Sequence, residues 1–336
     1  MEELLPEIEK WRNRSIEAQQ NTSFGKAVNF TPSDERGMSS NAYFGGVAYL
    51  SGAVEFSWPI TTILMRDDLR IKGLVPYSSP YIDSPKTISN PTQVLSVTGQ
   101  NAIVDWVLIE LLTKDQSIQS PYNPYTIEHS FSALLQRDGD IVDTDGVSSL
   151  NLGNLSRDYY VSIRHRNHHG CMTKYPVSFG VGYTQVDFTN PYLETYVKSN
   201  GFAVGSFNLL GRQMLFSANV GGSYDLQTNI YNGQWESAVN DFVILYNGIA
   251  GGGDRAELLH SIFLYQVEHN LTPLYSNFII YDKYSSMDTN LDGNISYYGP
   301  DNDVDPIFFS VLLHPNNTNG LFNYFVSEAI PGSGAD

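Results

Sequence analysis

The chain is poor in cysteine, in positive charge and in long apolar runs. Cys171 is the single cysteine among 336 residues, which excludes an intrachain disulfide and a cysteine-based zinc site. The chain has 19 lysines and arginines but 36 aspartates and glutamates, so its net charge is -17. This excess argues against nucleic acid as a partner, because the phosphates would be repelled. No apolar run approaches the roughly 20 residues of a membrane helix, so no membrane span is expected.

The first residues also lack a feature, the apolar core of a signal peptide. Met1–Gln20 is acidic and then mixed, so we expect that the numbering begins after processing or that the chain is a piece of something longer. Helical spacing of apolar residues predicts a helix over Glu2–Gln19, at Leu4, Leu5, Ile8 and Trp11. Such a helix either packs on its own domain or docks on a neighbour. Asn21–Ser40 is polar and reads as a linker or extended arm.

Aromatic residues and glycine are abundant, whereas charged residues make up only 16% of the chain. There are 22 tyrosines, 17 phenylalanines and 28 glycines, a composition that indicates a β-rich, turn-rich extracellular protein. Tyrosine-rich surfaces suit contact with other proteins or with sugars, because tyrosine combines an apolar face with a polar tip. A surface or extracellular location is therefore expected.

From Asn41 onward the apolar residues recur every second position, which predicts β-strands. Both faces of Ala102–Leu111 are largely apolar, as in a central strand. Glu110 within it is the acid that we expect to be buried, and the alternative is a strand residue that faces the edge of the sheet. Asp138-Gly139 signals a hairpin. The other predicted strands before residue 190 are Tyr43–Leu50, Ala53–Trp58, Gln93–Val97, Ser130–Arg137, Asp158–His165 and Tyr175–Asp187. Together they predict an antiparallel β-sandwich of the immunoglobulin or prealbumin type over residues 41–190.

Helical signals appear later in the chain. Asp254 followed by Glu257 has the spacing of a capping box, with an apolar stripe running to about His269. Pro306–Leu313 is apolar and predicts a second short helix. The chain therefore divides into an N-terminal helix and arm over 1–40, a β-sandwich over 41–190, and a C-terminal module with a tail over 191–336.

The stretch Asp288–Asp305 begins D-x-N-x-D-G, the opening of an EF-hand-type calcium loop. At positions 1, 3 and 5 of such a loop, side-chain oxygens converge on one hard cation, and the glycine at position 6 permits a sharp turn. Position 7 would offer its backbone carbonyl, and position 9 a hydroxyl or a bound water. The candidate calcium ligands are Asp288, Asn290, Asp292, Asn294, Ser296, Asp301 and Asp303.

Position 12 departs from the EF-hand, because Gly299 stands where that loop has a bidentate glutamate. The next carboxylates in the chain are Asp301, Asp303 and Asp305. We therefore expect Asp301 or Asp303 to supply the ligand that completes the coordination of the ion. The alternative is a cluster of Asn, Asp and Gly turns that binds nothing. A faint copy of the loop lies over Asn219–Asp241 and has lost most of its acidic residues. The sequence leaves open whether this copy binds a second ion.

A series of motifs, each weak alone, resembles a module of large secreted proteins from Bacteroidetes-type bacteria. The matching segments are Met65–Arg70, Gly73–Pro76, Val97–Gly99, Ala102–Leu111, Ala133–Asp140, Asp143–Gly146, Tyr159–His168, Met172–Thr173, Val186–Thr189 and Asp288–Asp305. The resemblance covers most of the chain. It implies a prealbumin- or Cna-B-like sandwich followed by a type I dockerin-like calcium module in a mostly uncharacterised family. The chain departs from that pattern in its degraded first loop, and no C-terminal sorting domain is visible.

Three further patterns in the sequence bear on function. His165–Cys171 contains three histidines and a cysteine, but one turn rarely supplies four tetrahedral zinc ligands, and we favour hydrogen bonds from Arg164, Arg166 and His168 to nearby loops. No nucleophile motif is present, and no pair of acids is singled out for glycoside hydrolysis. Tyrosines in proline-rich loops are either sugar-stacking platforms or loop anchors: Tyr77, Tyr81, Tyr122 and Tyr125.

These observations predict a secreted, calcium-stabilised surface protein without enzyme activity. Adhesion or self-assembly is the expected role, with a subunit of an extracellular fibre as one form of it. The expected partners are further copies of the chain or other surface proteins. The alternative is a carbohydrate-binding or accessory module of a secreted glycan-degrading system, for which glycans would be the ligand.

Overall fold

The computed structural model describes residues 41–55, 63–118, 123–198, 204–220, 243–246 and 253–331. The predicted N-terminal helix and arm over 1–40 lie outside the described residues, as does most of the degraded first loop. Strands account for 34% of the structure and helices for 16%, so the protein is mainly β. The prediction of a mainly β protein is therefore confirmed, with a large antiparallel sheet and few helices.

Fifteen strands and four short or medium α-helices follow one another along the described chain. The strands are β1 (Ala42–Val47), β2 (Val54–Glu55), β3 (Leu64–Met65), β4 (Ile103–Lys114), β5 (Tyr125–Gln136), β6 (Asp140–Val142), β7 (Leu150–Gly153), β8 (Asp158–His165), β9 (His168–Met172), β10 (Val177–Ser178), β11 (Gly182–Asp187), β12 (Phe207–Leu209), β13 (Arg212–Met214), β14 (Val243–Leu245) and β15 (Phe325–Ser327). The helices are α1 (Asp68–Ile71), α2 (Pro91–Val94), α3 (Asp254–Glu268) and α4 (Val304–Leu312), with 3-10 turns at Ser51–Ala53 and Gly99–Asn101.

Nine strands form one sheet in the order β10-β8-β4-β5-β6-β1-β11, with β7 paired to β1 and β9 to β8. All pairs are antiparallel except β1 with β11. Strand β4 lies between β5 and β8, and all its residues up to Leu112 are buried. The prediction of a central strand here is confirmed. Burial on both faces is the reason that its sequence is apolar on both faces.

Local turn chemistry explains the connections on either side of the centre. The hairpin predicted at Asp138-Gly139 joins β5 to β6, and Gly139 has φ +95°, which favours glycine. The strand predicted over Gln93–Val97 is wrong, because Pro91–Val94 forms helix α2. Its N-cap is Asn90, whose side chain accepts from the Gln93 amide, and proline is the first helical residue. The Asn90-Pro91 pair is a helix start signal, and it favours a helix over a strand at this position.

The two predicted C-terminal helices are present, but the first begins differently. Gly253 is the N-cap of α3, and Asp254 is its first helical residue. The Asp254 carboxylate instead accepts from the Val220 amide at 2.8 Å. The predicted capping box is thus wrong, because a tertiary contact engages the aspartate.

Buried residues from before and after residue 190 pack in one hydrophobic cluster, which includes Trp106, Phe216 and Ile307. Backbone bridges join Leu50 to Leu215 and Cys171 to Ala329 across this boundary. Hydrogen bonds from Arg166 and Asn167 to the carbonyls of Ser285 and Asp288 join the turn between β8 and β9 to the start of the 288–305 loop. Within the described ranges no helix has the length and hydropathy needed to cross a membrane.

Candidate metal centre

The loop Asp288–Asp305 coils around the carboxylate of its first residue. One oxygen of Asp288 accepts from the Asp292 amide at 3.0 Å and the other from the Gly293 amide at 2.9 Å. Gly293 has φ +78°, so the sharp turn predicted at position 6 is confirmed. A Cβ on this residue would also lie 2.7 Å from Leu74 Cδ1, so the Leu74 side chain would have to move to admit it.

Side chains at positions 3 and 5 continue the same pattern. Asn290 Oδ1 accepts from the Asp292 amide at 2.9 Å, and Asp292 Oδ1 accepts from the Asn294 amide at 2.6 Å. These are local turns in which an Asn or Asp oxygen binds the backbone two residues on. Asn294 Oδ1 faces outward and accepts from Lys72 Nζ at 2.7 Å. A ligand at position 7 would therefore be the Asn294 backbone carbonyl, as predicted for this position.

Near the C-terminal end of the loop, the Asp303 carboxylate points into its interior. It is 1% exposed and accepts from the amides of Thr289 at 2.7 Å and Ser296 at 2.8 Å. Asp301, the other candidate for closure, is exposed, and its backbone carbonyl accepts from Asn290 Nδ2 at 2.5 Å. Asp303 therefore joins the two ends of the loop.

The carboxylates of the loop repel one another. Burial raises the pKa of Asp288 to about 7, with Arg166 lowering it and Asp292 raising it further. Burial, together with Asp288, raises the pKa of Asp303 well above its usual range. The pKa of Asp292 is also raised, mainly by burial. At neutral pH these carboxylates need either protons or a cation, because buried and unpaired negative charge is costly.

The donors present fit a hard cation better than a soft one, since all are oxygens. Each carboxylate oxygen has two lone-pair sites, so an amide hydrogen bond leaves one for an ion. In the described part of the chain, no three His, Cys, Asp or Glu side chains form a group that could hold a metal ion. An ion here would therefore depend also on the amide, hydroxyl and carbonyl oxygens of Asn290, Asn294 and Ser296.

A buried arginine on the β8–β9 turn lies beneath the loop. Arg166 donates from Nε to Asp105 Oδ2 at 2.9 Å and from Nη1 to the Ser285 carbonyl. Its Nη2 lies 4.0 Å from Asp288 Oδ2, an ion pair too long for a hydrogen bond. The guanidinium also stacks on Tyr284, 4.3 Å from the ring centre. Arg166 thus links the sheet to the loop.

The neighbouring residues of this turn also bind nearby backbone. Asn167 Nδ2 donates to the Asp288 carbonyl at 2.6 Å, and the His169 amide donates to the Phe216 carbonyl at 2.9 Å. His165 Nε2 lies 3.1 Å from Asp105 Oδ2. Burial would raise the pKa of Asp105, but Arg166 and His165 outweigh it and lower the pKa to about 2. The predicted hydrogen bonds to nearby loops are confirmed for Arg166, which donates to the Ser285 carbonyl, and for His168, which accepts from the Gly52 amide. Arg164 instead binds the side chains of Glu110 and Glu328.

A second buried network lies on the sheet. Glu110 is 2% exposed, which confirms its predicted burial, and it accepts from Arg164 Nε at 2.9 Å and Ser162 Oγ at 2.8 Å. Arg164 Nη1 also donates to Glu328 at 3.2 Å. Sequence reasoning missed Glu328 and the pairing of Arg166 with Asp288. An acid inside an apolar strand was the only signal, and it does not identify distant partners.

The four tyrosines proposed as sugar platforms have different surroundings. Tyr77 is 61% exposed, whereas Tyr81 is fully buried and donates to the Trp106 carbonyl at 3.1 Å. Tyr125 is half-buried against Tyr160 and Tyr196. Tyr122 lies outside the described residues. Tyr81 is therefore a loop anchor and not a stacking platform.

Acid should destabilise the protein through its buried histidines. Burial, together with His314 and Lys198, lowers the pKa of His169 to about 3. Among the described residues, neither of its ring nitrogens has a hydrogen-bond partner. A histidine with a lowered folded pKa stabilises above its unfolded pKa of about 6.5, and this contribution is lost as the pH falls. The pKa values of His165 and His168 are also lowered, mainly by burial.

The measurement is chemical denaturation between pH 7 and 5 of wild type and His169→Leu. The wild type should lose about 2 kcal/mol more than the variant over this range, since the variant lacks one titrating group. The comparison of the two proteins cancels the contribution of the carboxylates, which is the same in both. Carboxylates with a raised pKa, such as Asp288, stabilise the folded state as the pH falls. His260→Leu, at an exposed position, is the control and should behave as wild type. Parallel curves for wild type and His169→Leu would contradict the prediction.

Comparisons of the chain with protein-family models, with curated proteins and with solved structures found no match. The likeness to a secreted bacterial module therefore rests on the motifs of the chain itself.

Proposed function

We propose that the chain is a secreted, calcium-stabilised surface protein that acts by adhesion or self-assembly and not by catalysis. The large sheet would form one layer of a β-sandwich that supplies the contact surface. The loop with helix α4 would be a dockerin-like unit. Its calcium ligands would be Asp288, Asn290, Asp292, the Asn294 carbonyl, Ser296 and Asp303.

The pair of buried carboxylates in the loop carries this proposal. Asp288 and Asp303 are 0% and 1% exposed, and each is reached by two backbone amides of the same loop. Arg166 is the cation that ion-pairs with Asp288 in the described structure, and it already binds Asp105. A divalent cation would neutralise the remaining charge, and the D-x-N-x-D-G spacing supplies oxygens of the type that calcium takes.

Calcium in the loop would stabilise more than the loop itself. Arg166 binds the Ser285 carbonyl and Asn167 the Asp288 carbonyl, so an ordered loop would hold the β8–β9 turn in place. Ligand binding to the folded state alone adds directly to the free energy of unfolding. The role suits a protein that works outside the cell, where free calcium is abundant.

Exposed aromatic side chains support a role in contact with other molecules. Tyr192 is 88% exposed, Tyr281 63% and Tyr298 56%, and aromatic residues are enriched where proteins meet. The carbohydrate-binding alternative has weaker support, because Tyr81 cannot stack on a sugar ring while it is buried.

The test is electron microscopy of the native protein in calcium and after chelation, with light scattering as a second readout. Calcium-dependent association into ordered particles or fibres is the expected result. Association that persists unchanged in chelator would contradict the calcium dependence. Single particles in both conditions would exclude self-assembly and leave adhesion to other surface proteins.

A further inference from the structure

A cavity of about 420 Å³ lies between the turn at Ser51–Ala53, strand β12 and helix α4. Most of its wall is apolar and comes from Val54, Phe207, Leu209, Phe309, Leu312 and Leu313. Cavities of roughly 300–1,000 Å³ with such walls are the usual size of sites that bury a small organic molecule. The cavity therefore has the volume and the apolar surface of a ligand site.

Two of the residues that line this cavity are acids from the end of the 288–305 loop. Asp301, Asp303 and Asp305 occupy every second position, and the structure divides them between two sides. The Asp303 carboxylate points into the loop, where it accepts from two backbone amides. Asp301 and Asp305 are exposed and line the cavity. The proposed calcium site uses neither of these two side chains, so their negative charge acts on the cavity.

Nearby positive charge does not balance the two acids. Arg66 is the one cationic side chain in the lining, and its Nε lies 2.8 Å from Asp68, which compensates it. The N-terminus of helix α4 adds only about half a positive charge beside Asp305. Among the described residues, no ion pair involves Asp301 or Asp305. The cavity therefore combines apolar walls with a net negative charge.

Helix α4 places the charge and the apolar wall in order along one face. Asp305, Phe309 and Leu312 all line the cavity, and they share a face because they are four and three residues apart. A rise of about 1.5 Å per residue puts Leu312 about 10 Å beyond Asp305 along the helix axis. A molecule that matches this face has a positive group at one end and an apolar body of about that length.

We propose that the cavity binds an organic ammonium ion, an amine with an elongated apolar body. Its charged nitrogen lies beside Asp301 and Asp305, and its body lies against Phe309 and Leu312. An anion of the same shape would meet two like charges, and a neutral molecule would leave both acids without a cation. The site is distinct from the proposed calcium site, although Asn290 lines the cavity and is also a proposed calcium ligand.

Isothermal titration calorimetry of the full chain with phenylbutylamine tests the site. Phenylbutanol and phenylbutyrate carry the same apolar body with a neutral and a negative head group, so the three probes isolate the effect of charge. One amine should bind per chain. The alcohol should bind about fivefold more weakly, the size expected for two partly exposed ion pairs, and the carboxylate more weakly still.

Removing the two charges tests the role of the acids. Asp301→Asn with Asp305→Asn keeps the shape of both side chains, and asparagine tolerates the φ of +53° at residue 301. This double variant should bind the amine about fivefold more weakly and the alcohol with unchanged affinity. Asp83→Asn with Asp115→Asn removes two exposed carboxylates that do not line the cavity, and this control should bind the amine as wild type does.

Filling the cavity tests the apolar wall. Leu209 is half-buried and lines the cavity, so Leu209→Trp should abolish the binding of amine and alcohol alike. Val147→Trp is the control, since Val147 is 76% exposed and does not line the cavity. Thermal melting checks that both variants fold. If Leu209→Trp does not fold, the double asparagine variant still decides the proposal.

Three results would overturn the proposal. They are the absence of saturable amine binding to wild type, equal or tighter binding of phenylbutyrate, and an amine affinity that is unchanged in the double asparagine variant. Loss of amine binding when calcium replaces chelator would also overturn it, because Asp301 and Asp305 would then hold the metal. The calcium site is tested separately by the melting shift, which the double asparagine variant should retain because neither residue is a proposed calcium ligand.

Discussion

Replacing Asp288 and Asp292 together by alanine should abolish stabilisation of the protein by calcium. The variant in calcium is expected to melt at the temperature of the chelated wild type, because positions 1 and 5 of the loop supply two of its carboxylates. A ligand at 100 times its dissociation constant stabilises the folded state by about 2.7 kcal/mol, and this difference should be lost. Thermal melting followed by circular dichroism, with and without chelator, measures it.

Matched changes away from the loop separate calcium binding from a general loss of negative charge. Asp83→Ala with Asp115→Ala removes the same number of carboxylates from exposed positions, and this protein should keep the full calcium shift. The calcium site would be refuted if the melting temperature of the wild type did not change on adding chelator.

Arg166→Met should destabilise the protein by about 3–5 kcal/mol, as is usual when one partner of a buried ion pair is removed. The change leaves Asp105, which is fully buried, without its guanidinium, and it also removes the hydrogen bond to the Ser285 carbonyl. Asp105 would retain His165 and Tyr284 as partners. Urea denaturation at neutral pH measures the loss.

Arg157→Met provides the comparison at the surface. The Arg157 side chain is 56% exposed and lies 3.3 Å from Glu128, so its loss should change stability by less than about 0.5 kcal/mol. Similar losses in the two variants would show that Arg166 is not an essential link between the β8–β9 turn and the loop.

The strands of the sheet centre could be predicted because their pattern is local. In β4 the burial of both faces favours apolar residues, and its two buried acids, Asp105 and Glu110, are paired with arginines. Asp158–His165 was predicted with its observed bounds. Tyr175–Asp187 was predicted as one strand, but it is divided into β10 and β11. Gly182, the first residue of β11, has φ +114°, a conformation that no alternation of apolar residues reveals.

The parallel pairing of β1 with β11 could not be predicted in the same way. Ala42 lies opposite Gly182, 140 positions away in the chain, and no local signal connects them. Tyr183 covers Gly45 so closely that a Cβ there would lie 2.0 Å from the tyrosine hydroxyl. Only the assembled sheet shows why Gly45 is a glycine.

For the candidate site, the sequence by itself determined the loop and its sharp turn. The spacing of Asp288, Asp292 and Gly293 controls local hydrogen bonds, which need only neighbouring residues. The tertiary structure decided that the Asp303 carboxylate lies inside and the Asp301 carboxylate outside. It also placed Arg166 beneath Asp288 and opened the cavity beside α4. These features depend on contacts between segments far apart in sequence, and such contacts arise only when the chain packs around one core.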